Sequence, residues 1–407
     1  MKLSFGLNPE NKTMRVAFTL IDSYRWTGGY NYLLNLFRSI QKYQSDQIRP
    51  VLFCGEDASE DDLQPFYAMA SLEVIRSPVF NIPEKKRRII RSLFLGQDFA
   101  ALRLFQKHQI DVVFENATFY GWNFPLPVIA WMPDFQHRHM REQFGFVAYW
   151  RRELGFRAQV ISCSILMLSS EDARKDSELF YPRAINNTTV VRFAAPIPAK
   201  LIENDPVDSI QEYRLPPQFF YLPKQFWKHK NHRVVIEALG LLKQQGCELV
   251  VVASGNQKDP RHPEYLTELN SRIKSLGLHE NFRMLGLIPR RHVISLMRTC
   301  TALLNPSYFE GWSSTVEEAR TLGVSMLLSD IGVHREQMEG NAIYFPPNDA
   351  FVLAEKLKKI ALEVPLPPSG VEKLTYINDD NIRRFAYDFV AAAEQAIRSY
   401  HTKRYLS

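Results

Sequence analysis

Short apolar runs alternate with helix-patterned segments along this chain, and the alternation occurs twice. Val16–Ile21 is a continuous apolar run interrupted only by Thr19, the composition of a strand buried on both faces of a parallel sheet. After DSYRWTGG comes YNYLLNLFRSIQKY, where Leu33, Leu36, Phe37 and Ile40 follow the i, i+3, i+4, i+7 spacing of a helix with one buried face. Pro50–Cys54, Asp111–Glu115, Val128–Met132 and Ile165–Leu168 read as further strands. The pattern restarts at Phe219–Leu222, with a helix lined by Val235, Ala238, Leu239 and Leu242, and strands at Leu249–Ala253, Ala302–Leu304 and Ser325–Leu328. Between the halves, FAAPIPAKLIENDPVDSIQEYRLPPQ is rich in Pro and acids and reads as a linker. The expectation is α/β: two Rossmann-like domains facing each other across a cleft, with ligands at the carboxyl ends of the strands.

The length, 407 residues, exceeds one ordinary core and agrees with two domains. With 45% hydrophobic and 23% charged residues the composition is that of a globular protein, and no apolar run approaches the roughly 20 residues of a membrane span. The opening MKLSFGLNPENKTM lacks an apolar h-region and a small-residue cleavage site, so it does not read as a secretory signal. It reads as a frayed polar tail, with Met14 an alternative start. Cys54, Cys163, Cys247 and Cys300 lie far apart in or near apolar runs, which predicts buried free thiols in a reducing cytosol and no structural zinc site.

The net charge of +6 permits anionic partners without selecting one. The densest basic run, EKKRRIIR at 84–91, continues into SLFLGQDFAALRLF at helical spacing. It reads as a solvated helix face or as a membrane-surface contact. Basic residues without an aromatic stacking pattern argue against nucleic acid.

Three loops carry chemistry. Gly28-Gly29, placed between the first strand and its helix, permits close backbone approach to a phosphate or is a plain turn; no GxGxxG occurs. In LPKQFWKHKNH, Lys224, Lys228 and Lys230 gather with His229 and His232 at a strand-to-helix turn, which suits a diphosphate whose charge grows as a bond to it breaks. In FEGWSSTVEE, Glu310 and Glu318 flank small residues ahead of a helix ended by Gly323. Thr315-x-x-Glu318, or Ser314-x-x-Glu317 in the other register, predicts a capping box, while N–H groups near Ser313–Thr315 suit phosphate oxygens. A diphosphate flanked by two polyols, as in a nucleotide sugar, would use all of these parts.

PSYFEGWSSTVEEARTLG and the SDIGVHREQ after it resemble the E-x7-E region of retaining glycosyltransferases of the GT-B fold, family 4. The similarity extends to FWKHKNH, to ENFRMLGLIPRRHVISLMRTCTALLNPS and to WMPDFQH, covering most of the second half and scattered parts of the first. The resemblance implies an acceptor-binding domain at 1–200, a nucleotide-sugar-binding domain at 201–380 and a C-terminal helix, Asn381–Tyr400 within 381–407, crossing back to the first domain. It assigns Glu318 to the ribose, Glu310 to the donor sugar, and Lys224 and Lys230 to the diphosphate. Gly28 and Gly29 approach the same phosphates, and Gly311, Trp312, Ser313, Ser314 and Thr315 complete the donor loop. Relatives commonly carry Gly-Phe-Gly and a Pro there, whereas this chain has Gly311-Trp312-Ser313-Ser314-Thr315, so the resemblance does not carry over the sugar contacts or the donor's identity.

By the same resemblance His137 is the candidate catalytic group of the first domain, with Asp134 the runner-up. Glu115 and Asn116, in VFENATF, are candidates for the acceptor. No metal or cofactor is expected, in keeping with the absence of a D-x-D triplet. Retaining glycosidases use carboxylates about 5 Å apart; Glu310 and Glu318, at opposite ends of the donor, are not such a pair. The expected activity is metal-independent, retaining transfer from a UDP-, GDP- or ADP-sugar to a hydroxyl of a glycan or lipid-linked glycan. That points to surface polysaccharide or lipopolysaccharide synthesis, in the cytoplasm or peripherally on the inner face of the membrane. The rivals are another GT-B activity, such as a nucleotide-sugar epimerase, and a non-enzymatic two-domain nucleotide- or anion-binding protein.

Overall fold

A computed structural model describes residues 13–203, 207–363 and 371–406. The polar tail read ahead of Met14 lies almost wholly outside them. The chain forms two compact units. The first takes the described residues up to His137, Gly145–Ala194 and those from Ile382 onward; the second takes Arg138–Phe144 and Ala195–Asn381.

The first unit is built on strands β1 (Met14–Thr19), β2 (Ile48–Cys54), β3 (Glu73–Arg76), β4 (Val112–Asn116), β5 (Val128–Met132), β6 (Ile165–Leu168) and β7 (Thr188–Val190), in the order β3-β2-β1-β4-β5-β6-β7. All pairings are parallel. Successive side chains of a strand point to opposite faces, so β1 feeds two cores. Val16 and Phe18 join Leu33, Leu36, Phe37 and Ile40 of the helix Thr27–Tyr43. Ala17 joins Phe105, Tyr120 and Phe135 on the other face. Phe385, Phe389, Ala393 and Ala396 of the final helix complete the first of these cores.

The second unit repeats the plan with β8 (Phe220–Pro223), β9 (Val251–Ser254), β10 (Phe282–Gly286), β11 (Ala302–Asn305), β12 (Met326–Ser329) and β13 (Ile343–Phe345), in the order β10-β9-β8-β11-β12-β13 and again parallel. Phe220 and Leu222 pack with Val235, Leu239 and Leu242, while Tyr221 packs with Leu303, Val316 and Leu328 on the opposite face. Both sheets are Rossmann-like. In each, strand order reverses between two central neighbours, β1 and β4 in one and β8 and β11 in the other. Loops leaving such neighbours diverge to opposite faces and open a crevice beyond their carboxyl ends.

Three expectations change. The segment read as a linker carries the helices Ala199–Glu203 and Val207–Glu212, and its Ile197, Ile202 and Leu215 are buried in the second unit's core. Pro and acid content mark chain breaks but do not reveal that the apolar residues between them are buried. The final helix runs Val371–Leu406, about ten residues longer at its start than the read boundary. Cys54 and Cys163 are buried, whereas Cys247 and Cys300 are partly exposed; all four are free thiols. Among the described residues no helix is long and apolar enough to cross a membrane.

Candidate active site in the second unit

The loops after β8 and β11 meet at the strand-order reversal, and a buried ion pair joins them. Lys224, which follows β8, donates through Nζ to Glu310 Oε1 at 3.0 Å and to Ser313 Oγ at 2.8 Å. Lys230 reaches the other carboxylate oxygen, Oε2, at 2.7 Å. Ser307 Oγ lies 2.8 Å from both Glu310 Oε1 and Asn305 Oδ1. Glu310 is 9% exposed and Lys224 6%. Burial alone would push the Glu310 carboxyl up, but Lys224 and Lys230 together hold it well below the usual carboxylate range. Burial pushes the Lys224 ammonium down to about 8, against the pull of Glu310. Two cations thus share one carboxylate, leaving an excess positive charge where β8 ends.

Local sequence explains how the loops hold this geometry. Asn231 adopts the left-handed conformation that Asn tolerates, at φ 58°, and its Nδ2 donates to the carbonyls of Pro306 and Pro347. Tyr308 N–H donates to the His229 carbonyl, a second tie between the loops. Gly255, at φ 150°, follows β9; a Cβ there would stand 2.3 Å from the Lys224 carbonyl oxygen, so only glycine lets this turn pass behind the lysine.

The helix after the Glu310 loop spans Ser314–Thr321, with Ser313 at its N-cap position and no side-chain capping bond. The expected capping box is therefore absent. Ser313 Oγ instead accepts from Lys224 and from Asn305 Nδ2. Gln337 performs the fixing: its Oε1 accepts from Ser313 N–H at 3.0 Å, and its Nε2 donates to the Ser313 carbonyl and to Glu317 Oε1. One N–H considered for phosphate is thus occupied by a side chain. Gly311 and Trp312 lie in the loop between Glu310 and this helix, Trp312 buried, with Thr315 buried in its first turn and Ser314 exposed. Glu318, on the same helix, accepts from Arg290 Nη1 at 2.7 Å.

Arg290 and Gln337 were not singled out from the sequence. A signal for Arg290 existed. Arg290 and Arg291 open the helix Arg290–Thr299, and cations at a helix N-terminus oppose its dipole, so an acidic partner is implied. Gln337 offered none, because its partners lie 20 and 24 positions upstream.

The remaining candidates belong to the first unit. Gly28 and Gly29 fall within the first turn of Thr27–Tyr43 rather than before it. A Cβ on Gly29 would stand 2.5 Å from the Trp26 ring, which stacks on Trp131 with centroids 5.2 Å apart. Asn116 ties β4 to β1: its Oδ1 accepts from Thr19 Oγ1 and its Nδ2 donates to the Thr19 carbonyl. Glu115 is buried, accepts from Tyr120 N–H at 3.2 Å, and is pushed up to about 8 by burial. His137 is fully buried, with Nε2 3.2 Å from Glu153 Oε2, and Tyr181 Oη donates to that same oxygen at 2.7 Å. Burial pushes this imidazole down to about 4. Asp134, partly exposed, accepts from Gln136 N–H and from Arg152 Nη2 at 2.7 Å.

Residues 209–367, containing Lys224, Lys230, Glu310 and Glu318, match the family described as glycosyl transferases group 1. Among solved structures, the chain is similar to HepE of Anabaena in complex with UDP and glucose, at TM-score 0.63 and 14% identity over 97% of this chain and 99% of that one. It is also similar to a glycosyltransferase from Rickettsia africae, at TM-score 0.62 and 13% identity over 95% and 96%. WaaG, a glycosyltransferase involved in lipopolysaccharide biosynthesis, aligns at TM-score 0.57 and 17% identity over 94% and 98%. These likenesses establish the fold, which is that of the GT-B glycosyltransferases. No curated protein matches the sequence.

Proposed function

We propose that this protein is a metal-independent, retaining glycosyltransferase of the kind grouped as family 4, using a nucleotide diphosphate sugar as donor. The observation that carries the reading is the Lys224–Glu310–Lys230 cluster at the strand-order reversal, within the segment that matches glycosyl transferases group 1. Lys224 and Lys230 bind the diphosphate, and Glu318 accepts from the ribose hydroxyls. Glu310 releases the lysines to the incoming phosphates and turns its carboxylate to the donor sugar. UDP is the first nucleotide to test, because HepE binds UDP and UDP-glucose; GDP and ADP sugars follow.

In the proposed reaction the acceptor hydroxyl attacks the anomeric carbon on the face the phosphate leaves. The carbon–oxygen bond to the phosphate breaks, the new glycosidic bond forms, and the acceptor's proton passes to a phosphate oxygen. The protein's part is to stabilise charge growing on that phosphate, through ammonium groups held in a dry site. On this reading Asp134, partly exposed where His137 is fully buried, serves the acceptor side. His137 supports that region through Glu153 and Tyr181. Glu115 and Asn116 shape the ends of β4 and β1 beside it. The acceptor is a glycan or lipid-linked glycan of surface polysaccharide or lipopolysaccharide synthesis, handled by a cytoplasmic enzyme at the inner face of the membrane.

The test is incubation with UDP-, GDP- and ADP-sugars, with and without EDTA, following donor turnover and the anomeric configuration of the product by NMR. Turnover of one donor that survives EDTA and falls at least a hundredfold in Lys224→Ala supports the reading. Release of an epimerised sugar points instead to a nucleotide-sugar epimerase. Binding without turnover of any donor leaves a nucleotide-binding protein and overturns the enzyme reading.

A further inference from the structure

The helix Ile82–Leu95 has two unlike faces. One is packed inward: Arg88 is buried with its Nε 2.7 Å from Asp98 Oδ2, and Ser92 is fully buried behind it. Ile82, Lys85 and Arg88 line a cavity of about 480 Å³ at the carboxyl ends of β1 and β2. The opposite face is largely exposed among the described residues. Phe94 is 85% exposed and Ile90 54%, and Leu93 is also exposed. Burying side chains of this size is worth about 1.5–3 kcal/mol each, so leaving a cluster in water is costly unless something covers it.

Two observations favour one kind of cover. The first is charge. The helix carries Lys85, Lys86, Arg87, Arg88 and Arg91 against a single acid, Glu84, which pairs only with Arg87 at 2.8 Å. At 100° per residue Lys86 and Arg87 flank Ile90 and Phe94 on the outward arc, with Arg91 at its edge. A second copy of this chain, or another protein core, would have to bury these cations unpaired; an anionic lipid surface receives the apolar residues among its acyl chains and the cations among its head groups. The second is Trp122. It is 39% exposed and donates through Nε1 to the Leu93 carbonyl, which sets an amphipathic indole beside the exposed apolar end of the helix. Trp is favoured at the boundary between hydrocarbon and water, where one end is apolar and the other wet.

We propose that the helix Ile82–Leu95, together with Trp122, docks the first unit onto an anionic lipid surface, with Ile90, Leu93 and Phe94 entering the acyl boundary and Lys86, Arg87 and Arg91 meeting the head groups. This reading concerns a face of the first unit and does not depend on the chemistry of the second. Attachment of this kind is reversible and salt-sensitive, because exposed charges are screened within a Debye length of about 10 Å at 0.1 M salt.

The test is co-sedimentation of the full chain with vesicles of phosphatidylcholine alone and with about a third phosphatidylglycerol. The protein sediments with the mixed vesicles, is released by high salt and stays in solution with the neutral ones. Ile90→Ala/Phe94→Ala, and separately Lys86→Glu/Arg87→Glu/Arg91→Glu, weaken binding by more than about tenfold, with unchanged circular dichroism. The charge-reversed variant alters only exposed positions, so it keeps the test decisive if the apolar variant misfolds. Failure to sediment with either vesicle, equal binding to both, or a lipid-free dimer abolished by Phe94→Ala each overturns the proposal. Donor binding by the second unit, measured on the same preparations, keeps failure here separate from failure of the catalytic reading.

Discussion

Arg290 holds Glu318 by one guanidinium nitrogen, 2.7 Å from Oε1, and donates from the other to the Pro196 carbonyl. The arginine is half exposed while the glutamate is nearly buried, so the pair contributes at most about 1 kcal/mol to stability. Its value lies in orienting the carboxylate. Arg290→Ala is expected to raise the donor KM about fivefold, with kcat and melting temperature nearly unchanged. Steady-state kinetics beside a melting curve checks this; a fall in kcat at constant KM would reject the positioning role.

On the proposed reading, Lys224 is expected to set a pH limit on donor binding. Burial lowers its ammonium to about 8, so it is charged below that pH and neutral above it. Affinity for UDP is expected to be highest below pH 8 and to weaken as pH rises through it. Lys224→Arg, which stays charged in this range, should flatten that limb. Calorimetric titration from pH 6.5 to 9.5 decides the matter, and identical profiles for the two proteins would exclude Lys224 as the group responsible.

Glu310→Gln leaves the buried Lys224 ammonium and the partly buried Lys230 ammonium without their counter-charge. Breaking a buried pair by removing one partner typically costs about 3–5 kcal/mol. The free variant should melt well below the parent, and saturating UDP should narrow the gap, because the diphosphate supplies the missing negative charge. Thermal shifts with and without UDP measure both effects; equal UDP-induced shifts in the two proteins would count against exchange of Glu310 for phosphate.

Glu115 predicts a stability trend of opposite sign to an ordinary ion-paired carboxylate. Burial raises its folded pKa to about 8, above the reference value of 4.5. Its contribution is therefore fully present below about 4.5 and lost as pH rises through 8. Between these values the slope approaches about 1.4 kcal/mol per pH unit. Glu115→Gln keeps an acceptor for Tyr120 N–H and removes the proton linkage. Urea unfolding at pH 5.5, 6.5 and 7.5 should show the parent losing stability relative to the variant as pH rises.

The second unit's candidate site was legible because the plan is written in chain order. Alternating strands and helices imply parallel sheets, and the loops after the first and fourth strands of the repeat are the ones that flank a strand-order reversal. Lys224 and Glu310 sit in those loops. What the sequence concealed depends on contacts across the fold. His137, Glu153 and Tyr181 are 16 and 28 positions apart and meet only when Phe146–Ser162 packs beside β5 and β6. Gly28-Gly29 has a helix-turn setting in which Gly29 makes room for Trp26, information carried by a ring two and three residues earlier. The strands Glu73–Arg76, Thr188–Val190 and Ile343–Phe345 are short edge or near-edge strands with partly exposed residues, so no continuous apolar run announces them.

The final helix has a consequence for the order of events during synthesis. Phe385, Phe389, Ala393 and Ala396 fill the core between β1 and the helix Thr27–Tyr43, yet they leave the ribosome after every described residue of the second unit. The half of the protein that is translated first is therefore finished last. Until the closing helix arrives, the nascent first unit keeps an open apolar seam beside Phe18, Phe37 and Phe114, and emergence of that helix is the event that closes it.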